Sequence, residues 1–183
     1  MNHRIGWAIA VLLAGVSRGA MSQNPGVSSK FIPPELMARM MERPAELPSS
    51  VTVAGGRDAA WLALTEVFKS FEIPVSYSDP AAGEVGAIKA KIMRRLGKQP
   101  LSQYLRCGEG LTGPNADSYV VYFSIAGFVK AAPNNEVTVA TLVTAHAIDL
   151  PNGRNDVMDC TTSGRLEEKI AKAVQLRLAV KPS

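Results

Sequence analysis

Two hydrophobic periods alternate along this chain, and each change of period marks an element. From about residue 58 to 71, Trp61, Leu64, Phe68 and Phe71 recur at steps of three and four. That spacing lays one wide apolar stripe along a helix, a core-facing stripe rather than a cofactor box. Asp58, after Gly55-Gly56, is placed to cap it. The period then drops to two. Ile73-Pro74-Val75-Ser76-Tyr77 opens a strand, with Pro74 suited to a strand start or an edge, and Asp79-Pro80-Ala81-Ala82-Gly83 has turn chemistry. Residues 85–96 read as a second strand, with Ile88, Ala90 and Ile92 on one side and Lys89, Lys91 and Met93 on the other. Lysines along one side suit a solvated face or an edge that resists aggregation.

The strongest alternation follows. Tyr119, Val121, Phe123 and Ile125 alternate with Val120, Tyr122, Ser124 and Ala126. After the turn Pro133-Asn134-Asn135-Glu136, Val137, Val139, Thr141, Val143 and Ala145 alternate with Thr138, Ala140, Leu142, Thr144 and His146. This predicts a long hairpin. Between the strand pairs, residues 101–106 suit one helical turn, and a glycine-rich connection runs through Cys107-Gly108-Glu109-Gly110 and Gly113-Pro114-Asn115-Ala116-Asp117. Residues 151–159 read as a loop ending at Cys160. Leu166, Ile170, Val174 and Leu178, beside Ala173, define a last helix that Thr162 or Ser163 can cap. Glu167 and Glu168 in its first turn, and Arg177 and Lys181 near its end, complement its dipole. The order predicts an α+β fold. A four- or five-stranded antiparallel sheet carries an N-terminal and a C-terminal helix on one face. Residues 51–180 form this single domain.

The first 20 residues change the picture. Arg4 gives a basic start, residues 5–16 are apolar, and Ser17, Gly19 and Ala20 are small. This is the layout of a secretory signal peptide, too short in its apolar run for a span of about 20 residues. Cutting after Gly19 puts Ser17 and Gly19 at the specificity positions; cutting after Ala20 puts Arg18 in one of them. Residues 21–50 then read as a flexible tether. Within it Pro33-Pro34 opens a short helical stretch, residues 35–43, with Met37, Met40 and Met41 on one side. Those methionines suit packing on the domain or meeting a partner. The expected protein is therefore exported, periplasmic or secreted, with no membrane span after cleavage.

Removing Arg4 and Arg18 leaves eighteen basic against sixteen acidic residues, a net charge of +2. So mild an excess argues against a nucleic-acid partner. Cys107 and Cys160, 53 positions apart, are the only cysteines, and an exported compartment makes them a disulfide. Zinc would want about four protein ligands, and only His146 joins the pair. Nor is there a C-x-x-C redox spacing.

Catalytic chemistry is sparse. His146, on the Thr138/Leu142/Thr144 side of its strand, reads as a structural histidine, and Ser102 has no sequence-visible base. No G-x-S-x-G, H-E-x-x-H or phosphate-loop motif occurs, and no cofactor is implied. Glu109, Asp117, Asp156 and Asp159 fall in loops that a fold can bring together, as paired carboxylates for glycoside hydrolysis require.

A resemblance is carried by Ala60-Trp61-Leu62-Ala63-Leu64, Phe71-Glu72-Ile73-Pro74-Val75 and Asp79. An aromatic-rich helix feeding a strand and an Asp-containing turn is similar in outline to the domains of the C-component lipoprotein of the outer-membrane barrel-assembly machinery. Several uncharacterised exported bacterial α+β families are similar over a longer stretch, from Trp61 to Leu178. There the resemblance runs through Leu105-Arg106-Cys107-Gly108, Thr112-Gly113-Pro114-Asn115-Ala116-Asp117 and Cys160-Thr161-Thr162-Ser163-Gly164-Arg165-Leu166-Glu167. The motifs are structural, imply no catalytic residue, and depart from the lipoprotein in having no lipid-bearing cysteine after the apolar run.

Together these readings point to a non-enzymatic exported binding or accessory module of the cell envelope, with an unknown envelope protein as partner. The first alternative is a carrier holding a small apolar ligand between sheet and last helix; Tyr119, Tyr122, Phe123 and Phe128 are the candidate lining of such a pocket or of a partner surface, with core packing the default for them. A filled core with an exposed apolar patch would favour the binding module instead. The second alternative is a hydrolase using the loop carboxylates.

Overall fold

The computed structural model describes residues 50–150, 153 and 156–179. The expected leader, the expected tether up to residue 49 with its 35–43 stretch, residues 151, 152, 154 and 155, and residues 180–183 lie outside the described residues.

The chain enters through a short strand, β1 (Val51–Ala54), and turns at Gly55 into helix α1 (Arg57–Ser70). Gly56 stands at the N-cap in place of Asp58, and no side chain bonds there. Its carbonyl receives the Ala60 N–H at 3.1 Å, while Asp58 sits in the first turn, where its charge meets the positive end of the dipole. The buried stripe is Ala60, Ala63, Leu64, Val67 and Phe68; Trp61 and Phe71 flank it, half-buried. Residues 73–76 do not join the sheet as a strand. Glu72 takes φ 55°, and the Val75 N–H reaches back to the Ile73 carbonyl at 2.8 Å, so the chain bends through Pro74 first. Pairing in strand β2 therefore covers only Tyr77–Asp79. Asp79 then holds the turn, its Oδ1 accepting from the Ala82 N–H at 3.0 Å.

Strand β3 (Glu84–Met93) carries a bulge between Ala87 and Ala90, with Lys89 at φ 47°. The extra residue shifts the alternation. Val85 and Ala87 share a face with Ala90 and Ile92, and Ile88 falls in the bulge instead of in line with them. Two small hairpins follow, β4 (Arg95–Leu96) with β5 (Gln99–Pro100) and β7 (Glu109–Gly110) with β8 (Gly113–Pro114). Between them the expected helical turn is a 3-10 turn over Leu101–Gln103, and Leu105–Arg106 form strand β6. A four-residue helical turn, α2 (Asn115–Ser118), leads into β9 (Val120–Ala132) and its antiparallel partner β10 (Glu136–Ile148). Residues 157–162, expected mostly as loop, form β11 (Val157–Thr162) on the far edge of β10. Helix α3 (Arg165–Ala179) closes the chain. Thr162, rather than Ser163, serves its start. Its Oγ1 accepts from the Gly164 N–H at 3.1 Å and donates to Glu167 Oε1 at 2.7 Å.

Among the described residues one seven-stranded antiparallel sheet runs β2-β3-β9-β10-β11-β6, with β1 also on β10. It is larger than the four or five strands expected: β1, whose Val51 and Val53 pack on the core, adds to β10, and the short strands β11 and β6 extend the sheet beyond it by pairing. On one face Val121, Phe123, Ile125 and Val129 of β9 and Val137, Val139 and Val143 of β10 form the core with α1 and with Leu166, Ile170 and Val174 of α3. Gly127 sets how closely α1 approaches. A Cβ there would lie 2.9 Å from Phe68 Cζ and 3.0 Å from Leu64 Cδ2. Gly127→Val should therefore lower the urea midpoint by the equivalent of about 1–3 kcal/mol through overpacking. An unchanged midpoint would mean that α1 rides higher on the sheet.

Candidate functional site

Strict pairing across β3, β9, β10 and β11 lines up residues in rungs on the face turned away from α1 and α3. One rung is Lys91–Tyr122–His146–Asp159. The next is Met93–Val120–Ile148–Val157. Neighbours across such a ladder have Cβ atoms about 5 Å apart, so each rung acts as a unit. The Tyr122 and His146 rings stack, centroids 5.1 Å apart and planes within 14°, and Lys91 and Asp159 stand exposed at the two ends. Phenol and imidazole thus sit between an ammonium and a carboxylate. Beside them the apolar rung is open at both ends: Met93 is 45 % and Val157 62 % exposed. A polar rung next to an apolar one suits recognition of an amphipathic surface. On the other side of the Tyr122–His146 pair, the Ser124–Thr144 pair makes the neighbouring rung, and buried Ser124 accepts the Lys89 N–H on its Oγ at 2.9 Å.

The same face changes character towards the β9–β10 turn. The rungs there are Tyr77–Gly86–Ala126–Leu142 and Asp79–Glu84–Phe128–Ala140. Tyr77 lies over Gly86, where a Cβ would come 2.6 Å from its hydroxyl. Burial, and next to it the charge of Glu84, raise the Tyr77 phenol well above its ordinary range.

Cys107 and Cys160 form a disulfide, with Cα atoms 4.3 Å apart. They extend the β6–β11 ladder by one step beyond the Arg106–Thr161 pair, at the separation typical of a non-hydrogen-bonded antiparallel pair. Buried Asn115 braces the bridge, its Nδ2 donating to the Cys107 carbonyl at 3.2 Å. Asp117 takes both the N–H and the hydroxyl of Ser102, at 2.8 and 2.6 Å.

The four aromatic residues named as candidate lining divide between the two faces of the sheet. Phe123 is fully buried in the core among the helices, with Tyr119 half-buried beside it. Tyr122 and Phe128 lie on the opposite face, three rungs apart. Of the four acids expected in loops, Asp117 is committed to Ser102, Asp159 lies within a strand, Glu109 is on an exposed hairpin, and Asp156 is exposed just before β11. Among the described residues no group of three or more His, Cys, Asp or Glu is placed to hold a metal ion, and no helix is long and apolar enough to cross a membrane. The Lys91–Asp159 rung was missed from the sequence because it needs both the bulge in β3 and the strand at residues 157–162. The alternation of Tyr122 with Phe123, by contrast, already separates those two faces. No protein-family model matches this chain, and no curated protein matches it.

Replacing both cysteines, Cys107→Ser with Cys160→Ser, should cost up to about 4 kcal/mol by the chain-entropy argument, less where the native state relaxes. Cys107 belongs to the buried core, but the aliphatic and aromatic side chains from α1, α3, β9 and β10 that make up most of it stay in place, so a cooperative melt at a lower temperature is expected. Alkylation of unreduced, denatured protein should label neither cysteine of the native chain; two labelled thiols would remove the bridge from this account.

Proposed function

We propose that this protein is an exported, non-enzymatic binding module of the bacterial cell envelope, holding a partner protein on the open end of its sheet. The observation that carries the proposal is the apolar rung Met93–Val120–Ile148–Val157 lying beside the Lys91–Tyr122–His146–Asp159 rung. Aromatic and apolar groups rimmed by charges of both signs are what a protein partner buries with good complementarity. The interior supports the same reading. Leu64, Phe68, Phe123, Ile125, Ile170 and Val174 occupy the space between sheet and helices and are fully buried, the place where a carrier would put an apolar ligand. A cross-strand disulfide is compatible with an oxidising compartment, and the leader layout at residues 1–20 directs the chain there.

Export is checked by N-terminal sequencing of protein from the envelope fraction, which should begin at Ala20 or Met21; an intact Met1 there would end that part of the reading. Contact is checked with a photo-crosslinking side chain placed at Met93, at Val157 and, as control, at exposed Leu62 on α1. A single heavier adduct should form from the two sheet positions and be lost when Tyr122→Ala and Asp159→Lys are added. Adducts of equal yield from Leu62, or insensitive to those substitutions, would reject the surface.

A further inference from the structure

Leu111 stands at the tip of the β7–β8 hairpin, wholly in solvent at 108 % exposure. Nothing in the fold calls for a leucine there. At that exposure the residue buries nothing. Nor does the turn need it. Leu111 and Thr112 make a two-residue connection between paired Gly110 and Gly113, where Asn-Gly or Asp-Gly is the usual chemistry, and neither residue takes a positive φ. A residue that departs from the local rule with no gain to the fold marks a place where function is expected. The feet of the hairpin, by contrast, are fastened. Cys107, two residues before β7, is bound to Cys160 of β11. Asn115, directly after β8, is 5 % exposed, and its N–H donates to the Gly108 carbonyl at 3.1 Å. A Cβ at Gly110 would come 2.8 Å from Asn115 Oδ1, so the hairpin lies directly against this carboxamide. A tip held in this way is preorganised, and gripping it costs little ordering entropy.

The hairpin springs from the end of the sheet that carries the apolar rung. Asn115 Nδ2 lies 3.5 Å from Met158 Sδ, next in the chain to Val157, and α2 runs from Asn115 into the start of β9, where Val120 pairs with Met93. Met93, Leu111, Leu150 and Val157 are four of the seven large apolar side chains exposed among the described residues, so apolar exposure concentrates at this end. We infer that Leu111 is an anchor residue, seated in an apolar pocket of a partner protein whose rim carries a cation. The inference rests on the reading of this protein as a binding module. The tip is convex, so its complement is a concave pocket, and burying one leucine there strengthens binding by about 10- to 100-fold. Charge selects a protein pocket over an anionic lipid surface. Glu109 is the only ionisable side chain in residues 108–114, and no Lys or Arg occurs from Cys107 to Val129, whereas segments that enter anionic bilayers bring cations with them. Exposed Glu109 meets the cation at the pocket rim.

A diazirine analogue of leucine is placed at Leu111 of the otherwise intact chain, irradiated in the envelope fraction beside the Met93 and Val157 probes, and its adducts are mapped by peptide mass spectrometry. An adduct to one protein, on a peptide lining an apolar pocket, is expected, and Glu109→Lys should abolish it. An adduct to lipid or to a second copy of this chain, or none at all, would overturn the anchor; capture that persists from Met93 and Val157 would then leave the sheet surface standing without it. Capture from position 111 alone would keep the anchor and remove the sheet surface. In a second measurement, Leu111→Ser is titrated with the captured protein. Half-maximal binding should need about 10-fold more of it or higher, with the melting temperature unchanged because Leu111 supports nothing in the fold. Unchanged binding or a lowered melting temperature would overturn the assignment, as would Leu111-dependent sedimentation of the native chain with phosphatidylglycerol vesicles.

Discussion

β9 is buried on both of its faces, and the rest of the molecule is arranged to satisfy it. From Val120 to Val129 only Tyr122 is more than slightly exposed. A strand of this kind needs a layer on each side and a paired strand at each edge, since every buried N–H and C=O must find a partner. β10 supplies one edge along its whole length, and β3 supplies the other with a bulge that keeps Ala90 and Ile92 in phase with the core. α1 and α3 then cover one side, clamped over Gly127 and Val143. On the other side Val120, Ser124, Ala126 and Phe128 are buried as well, with Tyr122 half-exposed among them.

What the sequence made legible follows from how strongly each element advertises its own burial. The stripe through Leu64 and Phe68 marked α1 to within a residue at each end, and Leu166, Ile170 and Val174 marked α3. Both are amphipathic, and their own periodicity carries the information. The β9–β10 hairpin was legible because its strands alternate for many residues and two asparagines with positive φ, Asn134 and Asn135, make the turn. β11 was not. Val157, Asp159 and Thr161 point out, and inward Met158, Cys160 and Thr162 give a weak apolar signal. Its strand character comes from β10, β6 and the disulfide, none of which is local.

The candidate site suffered from the same loss. His146 was placed on the correct side of its strand, but its neighbours Lys91 and Asp159 belong to strands whose register depends on a bulge and on a segment that reads as loop. Tyr119, Tyr122, Phe123 and Phe128 come from both faces of the sheet, and core packing, the default for aromatic residues of this kind, holds for Phe123. The period of two assigns Phe123 inward and Tyr122 and Phe128 outward. Parity along a strand decides which aromatic residues can meet; composition does not.

The disulfide connects the core side of the sheet to its open side. β6 contributes only two paired residues to the sheet, too few to hold an edge by ladder bonds alone. The Cys107–Cys160 bridge substitutes for the missing ladder, and Asn115 and the Asp117–Ser102 pair fix the loop that leads away from it. Cys160 faces the core on β11, so its chain neighbour Asp159 faces the open side beside His146. Tethering the strand through its inward residue thereby fixes the position of the outward one. A covalent bond on the helix side of the sheet sets the position of the Lys91–Tyr122–His146–Asp159 rung on the other, and such a bond is compatible with an oxidising compartment.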